Sequence, residues 1–251
     1  MASEYDRLKD IVTGLNIPVM GIASTDMWDT DPIVSANVPP ERRPRSIMPE
    51  SISAVVIGVP VQETVIMTAP SIYYRELYKV TNAILDDSGQ RIVMALEMMG
   101  HKAAFIPRDG YHGMKGLLKD PSSFFSHKHS AYLAGLGTFG VNNTILTERY
   151  GPRIRFTTIL TDADLPTGRP MDRQLCIKCM KCRDACPVKA IGDDTYPASK
   201  IDKAACTRNS EQLNKRGISP CGRCIAVCPV GKDHVVPPTP AAIENIRRYT
   251  L

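Results

Sequence analysis

An α+β fold is predicted by three observations. Segments of helical and of strand character follow one another without the strict alternation that builds a parallel sheet. Apolar runs are short, and none approaches the length of a membrane span. All eight cysteines fall within residues 176–228, with none before them. The 251 residues, 43% hydrophobic and 23% charged, suit one large domain or a medium one with a small appendix.

Residues 3–15 read as an amphipathic helix, with Leu8, Ile11, Val12 and Leu15 at helical spacing and Gly14-Leu15-Asn16 closing it. Pro18 to Ala23 is a short strand. Residues 24–50, rich in Pro, Asp and Arg, read as an irregular loop. Ser53 to Val61 is a buried strand with β-branched residues and no charge. Residues 71–99 are helical along Tyr74, Leu77, Val80, Ile84, Ile92, Val93, Leu96 and Met99. Gly89 is a candidate break, and Met94, Met98 and Met99 are expected to pack. Gly100 caps that helix and His101 to Pro107 is the next strand. Residues 108–126 lack periodicity, and Tyr111 and His112, between Gly110 and Gly113, read as an ordinary loop or a lid. A helix at 127–136 runs into the glycine-rich 134–140. Thr144–Thr147 and Arg153–Leu160 are then expected to form a hairpin turning at Tyr150-Gly151-Pro152. Residues 161–170 are a linker by composition, and 240–249 a terminal helix.

Cys176, Cys179, Cys182 and Cys186, followed by Pro187, form C-x2-C-x2-C-x3-C-P, the run that holds [4Fe-4S] clusters in bacterial ferredoxins. Three close thiolates hold one cube, and the fourth, about a helical turn on, points to a second. Cys206, Cys221, Cys224 and Cys228, followed by Pro229, form a second motif with Thr207–Pro220 inserted after its first cysteine. Crossed ligation gives Cys176, Cys179, Cys182 and Cys228 to one cluster. Cys206, Cys221, Cys224 and Cys186 then hold the other, and no cysteine is spare. Disulfides would staple the whole fold rather than crowd into one segment. Zinc would not call for the third cysteine or the Cys-Pro endings.

The formal charge is +5. Each cluster site adds about −2, so two bring the loaded protein to about +1. The basic excess therefore offsets cluster charge or serves an anionic substrate, cofactor or partner; nucleic acid is not favoured. The start, Met-Ala-Ser-Glu-Tyr-Asp-Arg, shows no signal sequence, so a cytoplasmic location is expected.

A much larger segment precedes the cysteines. Its run Ser126-His-Lys-His-Ser-Ala-Tyr-Leu-Ala-Gly-Leu-Gly-Thr-Phe-Gly-Val-Asn-Asn comes first. Leu146-Thr-Glu-Arg-Tyr-Gly-Pro-Arg-Ile-Arg-Phe and Leu160-Thr-Asp-Ala-Asp-Leu-Pro follow and lead straight into the cysteines. This order resembles the epoxyqueuosine reductases and reductive dehalogenases, corrinoid-dependent iron–sulfur enzymes. The resemblance covers about residues 50–230 and is densest at 126–187.

The resemblance implies a nitroreductase-like domain over 1–168, a ferredoxin-like two-cluster domain over 169–235 and a tail over 236–251. It implies cobalamin held by the first domain and reduced by the nearer cluster. Gly135, Gly137, Gly140, Asn142 and Asn143 match the glycine-rich segment near that cofactor, and His127 is a further candidate. The same glycines and asparagines would serve a plain helix cap and turn. Asp120 corresponds, with some slippage, to the aspartate that donates a proton in epoxyqueuosine reductases. Tyr150 and Arg153 are a candidate proton donor and its cation, or an ordinary turn. The tRNA-holding repeats and the export signal found in parts of the family have no counterpart here, so neither substrate is carried over. Three functions are weighed: a corrinoid-dependent reductase of a small molecule, a ferredoxin-type electron carrier docking to a partner enzyme, and a flavin-dependent reductase. Each would draw electrons from a donor such as a ferredoxin or flavodoxin.

Overall fold

The computed structural model describes residues 2–108, 113–232 and 239–248; Tyr111 and His112 lie outside them. Helix α1 (Glu4–Gly14) starts on a capping box, Ser3 accepting from the Asp6 N–H while Asp6 accepts from Ser3, and buries Leu8 and Val12. It leads into strand β1 (Val19–Ser24). The following proline-rich stretch is not irregular. It forms three short helices (Met27–Thr30, Pro32–Asn37 and Pro44–Ile47) and a 3-10 turn, Pro40–Arg42. Pro32, Pro40 and Pro44 sit at first-turn positions, where a missing N–H costs nothing. Trp28 and Val34 from this stretch are fully buried.

Strand β2 (Ser53–Pro60) pairs antiparallel with β1, Val19 opposite Gly58. Helix α2 (Ile72–Met98) is continuous through Gly89. A Cβ there would meet the Phe105 ring at 2.7 Å, so the glycine admits the next strand rather than breaking the helix. The buried face of α2 runs through Tyr74, Thr81, Asn82, Leu85, Ser88, Ile92, Val93 and Leu96. The expected stripe holds at Tyr74, Ile92, Val93 and Leu96 but not at Val80 and Ile84, which are exposed, and Met94 and Met98, expected to pack, are exposed too. Small polar residues take the inner positions because the helix lies close on the sheet. Strand β3 (Ala103–Ile106) follows, then helix α3 (His127–Leu133).

The expected hairpin does not form. Strand β4 (Thr138–Phe139) pairs with β5 (Ile145–Leu146), and Thr147 and Gly151 close their own small loop. Strand β6 (Ile154–Thr161) instead enters the main sheet between β2 and β3, giving the antiparallel order β1-β2-β6-β3. An eight-residue strand buried along its length needs partners on both edges, and a two-residue neighbour cannot supply them.

Both faces of the sheet are covered, which explains the near-continuous apolar run of β2. Val55, Ile57 and Ile159 face α1 and α2; Ala54, Val56 and Leu160 face α3, Trp28 and Val34. The result is a mixed α/β fold whose main sheet is antiparallel. The stretch after β6 packs on it: Ala163 and Leu165 are buried and the Gly168 N–H donates to the Ile22 carbonyl. Beyond lies a segment of tight turns and short helices carrying the cysteines, with one longer helix, α4 (Lys203–Lys215), filling the insertion of the second motif. Asp202 caps α4 by accepting from the Ala205 N–H. Among the described residues no helix is long and apolar enough to cross a membrane.

Candidate redox site: two thiol groups beside a groove

The eight thiols gather in two neighbouring sets. Cys182 and Cys228 each sense Cys176 and Cys179, while Cys206 senses Cys221 and Cys186. Cys224 senses Cys221, Cys206 and Cys186, and also Cys182 of the other set, so the two adjoin. Burial pushes the Cys182 thiol up to about 11 and the Cys224 thiol to about 12, with the neighbouring cysteines adding to it. Cys179 is exposed, so the first set reaches the surface. The second adjoins a cavity lined by Tyr74, Tyr78, Arg155 and Ile225.

Those four residues also line a groove of about 260 Å³ with Phe125, His127, Lys128, Ile154 and Phe156. A second cavity, of about 430 Å³, shares Ser123, Phe125, Ser126 and Lys128 with it. The Arg155 guanidinium lies 4.0 Å from the Tyr78 ring centroid and its Nε donates to Asn82 Oδ1 at 2.6 Å, which fixes the wall between thiols and groove.

The residues singled out from sequence fall in different places. His127 lines the groove, its Nδ1 2.9 Å from Thr158 Oγ1 and its Nε2 3.2 Å from the Pro107 carbonyl, which requires Nε2 to carry the proton. Asp120 is exposed, 3.2 Å from Arg42, and its carboxyl is held low first by the Ser122 hydroxyl and then by Arg42. Arg153 does not pair with the Tyr150 ring; the cation there is Arg149, at 5.5 Å. Arg153 is buried and donates to the carbonyls of Cys228 at 3.0 Å and Val230 at 2.6 Å, with Glu63 at 3.6 Å. It ties the start of β6 to the cysteine segment.

The glycines meet protein rather than open space. A Cβ on Gly135, at φ +71°, would overlap the Arg169 carbonyl; one on Gly137 would overlap that of Leu146. Gly140 and Asn142 border the first thiol set, and Asn142 borders the second as well. Asn142 Oδ1 accepts from the Thr144 hydroxyl at 2.8 Å. Asn143 lines the larger cavity at φ 55°, and its buried side-chain oxygen has no hydrogen-bond partner among the described residues.

Sequence reading missed Tyr196 and undervalued His129. Tyr196 lines the larger cavity, its hydroxyl 3.0 Å from His129 Nε2, and His129 Nδ1 is 2.7 Å from Ser126 Oγ. Burial, with Lys128 and Lys203 nearby, lowers His129 to about 3, so the ring is neutral; burial lifts the Tyr196 hydroxyl to about 12. No spacing joins residues 67 positions apart, so only the fold reveals this chain of hydrogen bonds.

A family model described as a 4Fe-4S binding domain matches residues 170–192. A tetrachloroethene reductive dehalogenase of Desulfitobacterium hafniense is 31% identical over 115 residues, 39% of this chain and 21% of that protein. An epoxyqueuosine reductase of Lactococcus garvieae is 30% identical over 112 residues, 39% of this chain and 30% of that one. Among solved structures, a reductive dehalogenase described as dehalogenating by a B12-dependent mechanism superposes with a TM-score of 0.64 at 21% identity, covering 95% of this chain and 33% of that one. The epoxyqueuosine reductase from Streptococcus thermophilus gives 0.64 at 14%, covering 95% and 68%. The chain thus spans about a fifth to a third of the curated relatives it matches. In sequence over about two fifths of its length, and in fold over nearly all of it, this chain is a relative of the reductive dehalogenases and epoxyqueuosine reductases, carrying a 4Fe-4S binding region.

Proposed function

We propose that the chain is a cytoplasmic oxidoreductase in which two [4Fe-4S] clusters deliver electrons to a corrinoid in the groove, for reduction of a small molecule. The observation that carries this reading is the order surface, first thiol set, second thiol set, groove. Cys176, Cys179, Cys182 and Cys228 would hold the outer cluster; Cys186, Cys206, Cys221 and Cys224 the inner. The residues are of the right kind, four thiols for each cubane with the members of each set close enough to influence one another; burial favours their neutral form, and iron would have to displace those protons on binding. At about 260 Å³ the groove would take only part of a flat macrocycle, against Tyr74, Tyr78, Phe125, Ile154 and Phe156 as apolar wall and His127, Thr144 and Arg155 as polar rim. The first 168 residues are read as a nitroreductase-like domain on the same resemblance.

When bound, the clusters supply one-electron transfer and the corrinoid a strongly reducing cobalt. The chain supplies the rest. Asn142 spans both thiol sets and braces the backbone between them. The Arg155–Tyr78 stack keeps the inner set against the groove. Tyr196 offers a proton at the cavity wall, and the neutral His129 behind it, linked to Ser126, keeps that hydroxyl oriented. Exposed Ile177 beside Lys181 forms a rim for a donor such as a ferredoxin or flavodoxin at the outer cluster, where Lys178 pairs with Asp194 and Arg183 with Asp184 and Asp193.

Anaerobically reconstituted protein is expected to hold about eight iron atoms per chain, and its visible spectrum to change on adding cobalamin. Iron well below that content refutes the two-cluster assignment. Full iron with no response to cobalamin leaves the ferredoxin-type carrier, and a response to flavin alone leaves the flavin enzyme.

A further inference from the structure

The larger cavity is lined by Arg42, Lys128, Lys200 and Lys203, while Asp120, paired with Arg42 at 3.2 Å, is the carboxylate at their edge. The cations repel one another. Lys203 is held low by burial, then by Arg42 and Lys200, with Asp120 opposing; Lys128 is lowered to about 8 by burial and then by Lys203. Gathering like charges in a concave, partly desolvated site costs free energy that an anion would return. A second observation is independent of charge: Asn143 lines the same cavity, is 5% exposed, and its Oδ1 is buried with no hydrogen-bond partner among the described residues. An unsatisfied buried acceptor calls for a donor, and the neighbouring Lys128 ammonium is engaged with the Asn143 main-chain carbonyl at 2.8 Å.

We propose that this cavity binds a small organic oxyanion, its carboxylate or phosphate among Arg42, Lys128, Lys200 and Lys203 and a hydroxyl or amine of the same molecule donating to Asn143 Oδ1. Leu117, Phe125 and the Tyr196 ring supply apolar surface for the organic body. At about 430 Å³ the cavity is of small-molecule size. Lys203 opens helix α4 and Cys206 lies one turn further along it, so the oxyanion site and the inner thiol set share one rigid element. The anion's role as substrate rests on the proposed function; its binding does not.

The test is calorimetric titration of the anaerobic iron-loaded protein with inorganic phosphate and, separately, with benzoate. Saturable binding is expected for at least one probe, and the tighter one names the head group. The Lys200→Gln/Lys203→Gln double variant, altered at the cavity rim where both residues still reach solvent, is expected to bind about tenfold more weakly or worse. Lys79→Gln, on the exposed face of α2, is expected to bind as the wild type does. No saturable binding of either probe, or equal affinity in the double variant, overturns the site. Displacement of both probes by a short RNA that binds more tightly overturns the small-molecule class. Iron content and visible spectra of the same samples separate the two readings: binding without clusters refutes the redox function alone, and clusters without binding refute the oxyanion site alone.

Discussion

Replacing Arg153 by methionine tests how the cysteine segment is fastened to the sheet. The Arg153 side chain is 3% exposed and contributes two charged hydrogen bonds, to the carbonyls of Cys228 and Val230, beside the equally buried Glu63. Methionine fills similar volume but leaves both carbonyls without that donor, and leaves Glu63 with Lys232, at 3.5 Å, as its ion-pair partner among the described residues. Each charged hydrogen bond is worth about 1.5–3 kcal/mol. Breaking a buried pair costs about 3–5 kcal/mol. The contributions share one network and do not add. A loss of about 3–5 kcal/mol in local stability follows, and at about 1.4 kcal/mol per factor of ten the segment opens at least a hundredfold more often. The assay is the rate at which a chelator bleaches the cluster absorbance of the anaerobic protein, with Arg149→Met as control. Bleaching of Arg153→Met at the wild-type rate, with unchanged melting of helical circular dichroism, would refute the fastening role.

Gly151→Ala strikes the same junction from the backbone side. Its φ is +54° and a Cβ would overlap the Val230 carbonyl, so reconstituted iron is expected to fall while the isolated sheet still melts cooperatively. Crossed ligation predicts that Cys186→Ala, although in the first motif, loses the inner cluster with Cys206→Ala, whereas Cys228→Ala loses the outer one with Cys179→Ala; paramagnetic resonance of the reduced variants distinguishes the pairs. His129 adds a pH dependence. Its folded value, about 3, lies below the ordinary 6.5, because burial and then Lys128 and Lys203 disfavour the imidazolium, and the Tyr196 hydroxyl facing it is neutral. The unfolded chain alone takes up the proton, so this stability is whole above pH 6.5 and declines towards pH 3. The loss amounts to about 2 kcal/mol by pH 5, and thermal midpoints of wild type and His129→Asn across that range measure it.

Local chemistry made parts of this molecule legible. The cysteine spacings, the capped α1 and the β-branched β2 each carry their signal within a few residues. The failures have a shared cause. Prolines in 24–50 read as breakers, but at first helical positions they start helices instead. The strand at 154–161 reads as half of a hairpin because its true partners, β2 and β3, lie far away in sequence. The α2 stripe misled because close packing on a sheet selects small residues such as Ser88 and Gly89, which hydrophobic periodicity ignores. Glycines 135, 137 and 140 read either as a cofactor-side segment or as a helix cap and turn, and at each a Cβ would meet the protein's own backbone or side chains. Tyr196 had no motif at all.

The placement of the cations bears on why the chain is basic. A formal +5 has two explanations, compensation of cluster charge or attraction of an anion. Arg153 belongs in part to the first: it bonds the carbonyls of Cys228 and Val230 and interacts with the Cys228 thiol, while sharing Glu63 with Lys232. Arg42, Lys200 and Lys203 do not. They line a cavity with Tyr196 and His129, and they depress Lys203 and Lys128 instead of being neutralised by the thiols, Cys224 being only the smallest influence on Lys128. Had compensation been the whole reason, these side chains would surround the cysteines. Their convergence around an unpartnered asparagine oxygen is more economically explained by a ligand. The ligand's negative charge would then sit beside α4, the helix that carries Cys206, so its binding is expected to lower the inner cluster's reduction potential. Potentiometric titration with and without saturating probe anion measures that shift; a potential unmoved by a bound anion would show that the cavity and the cluster do not communicate, and a raised one would refute the electrostatic sign.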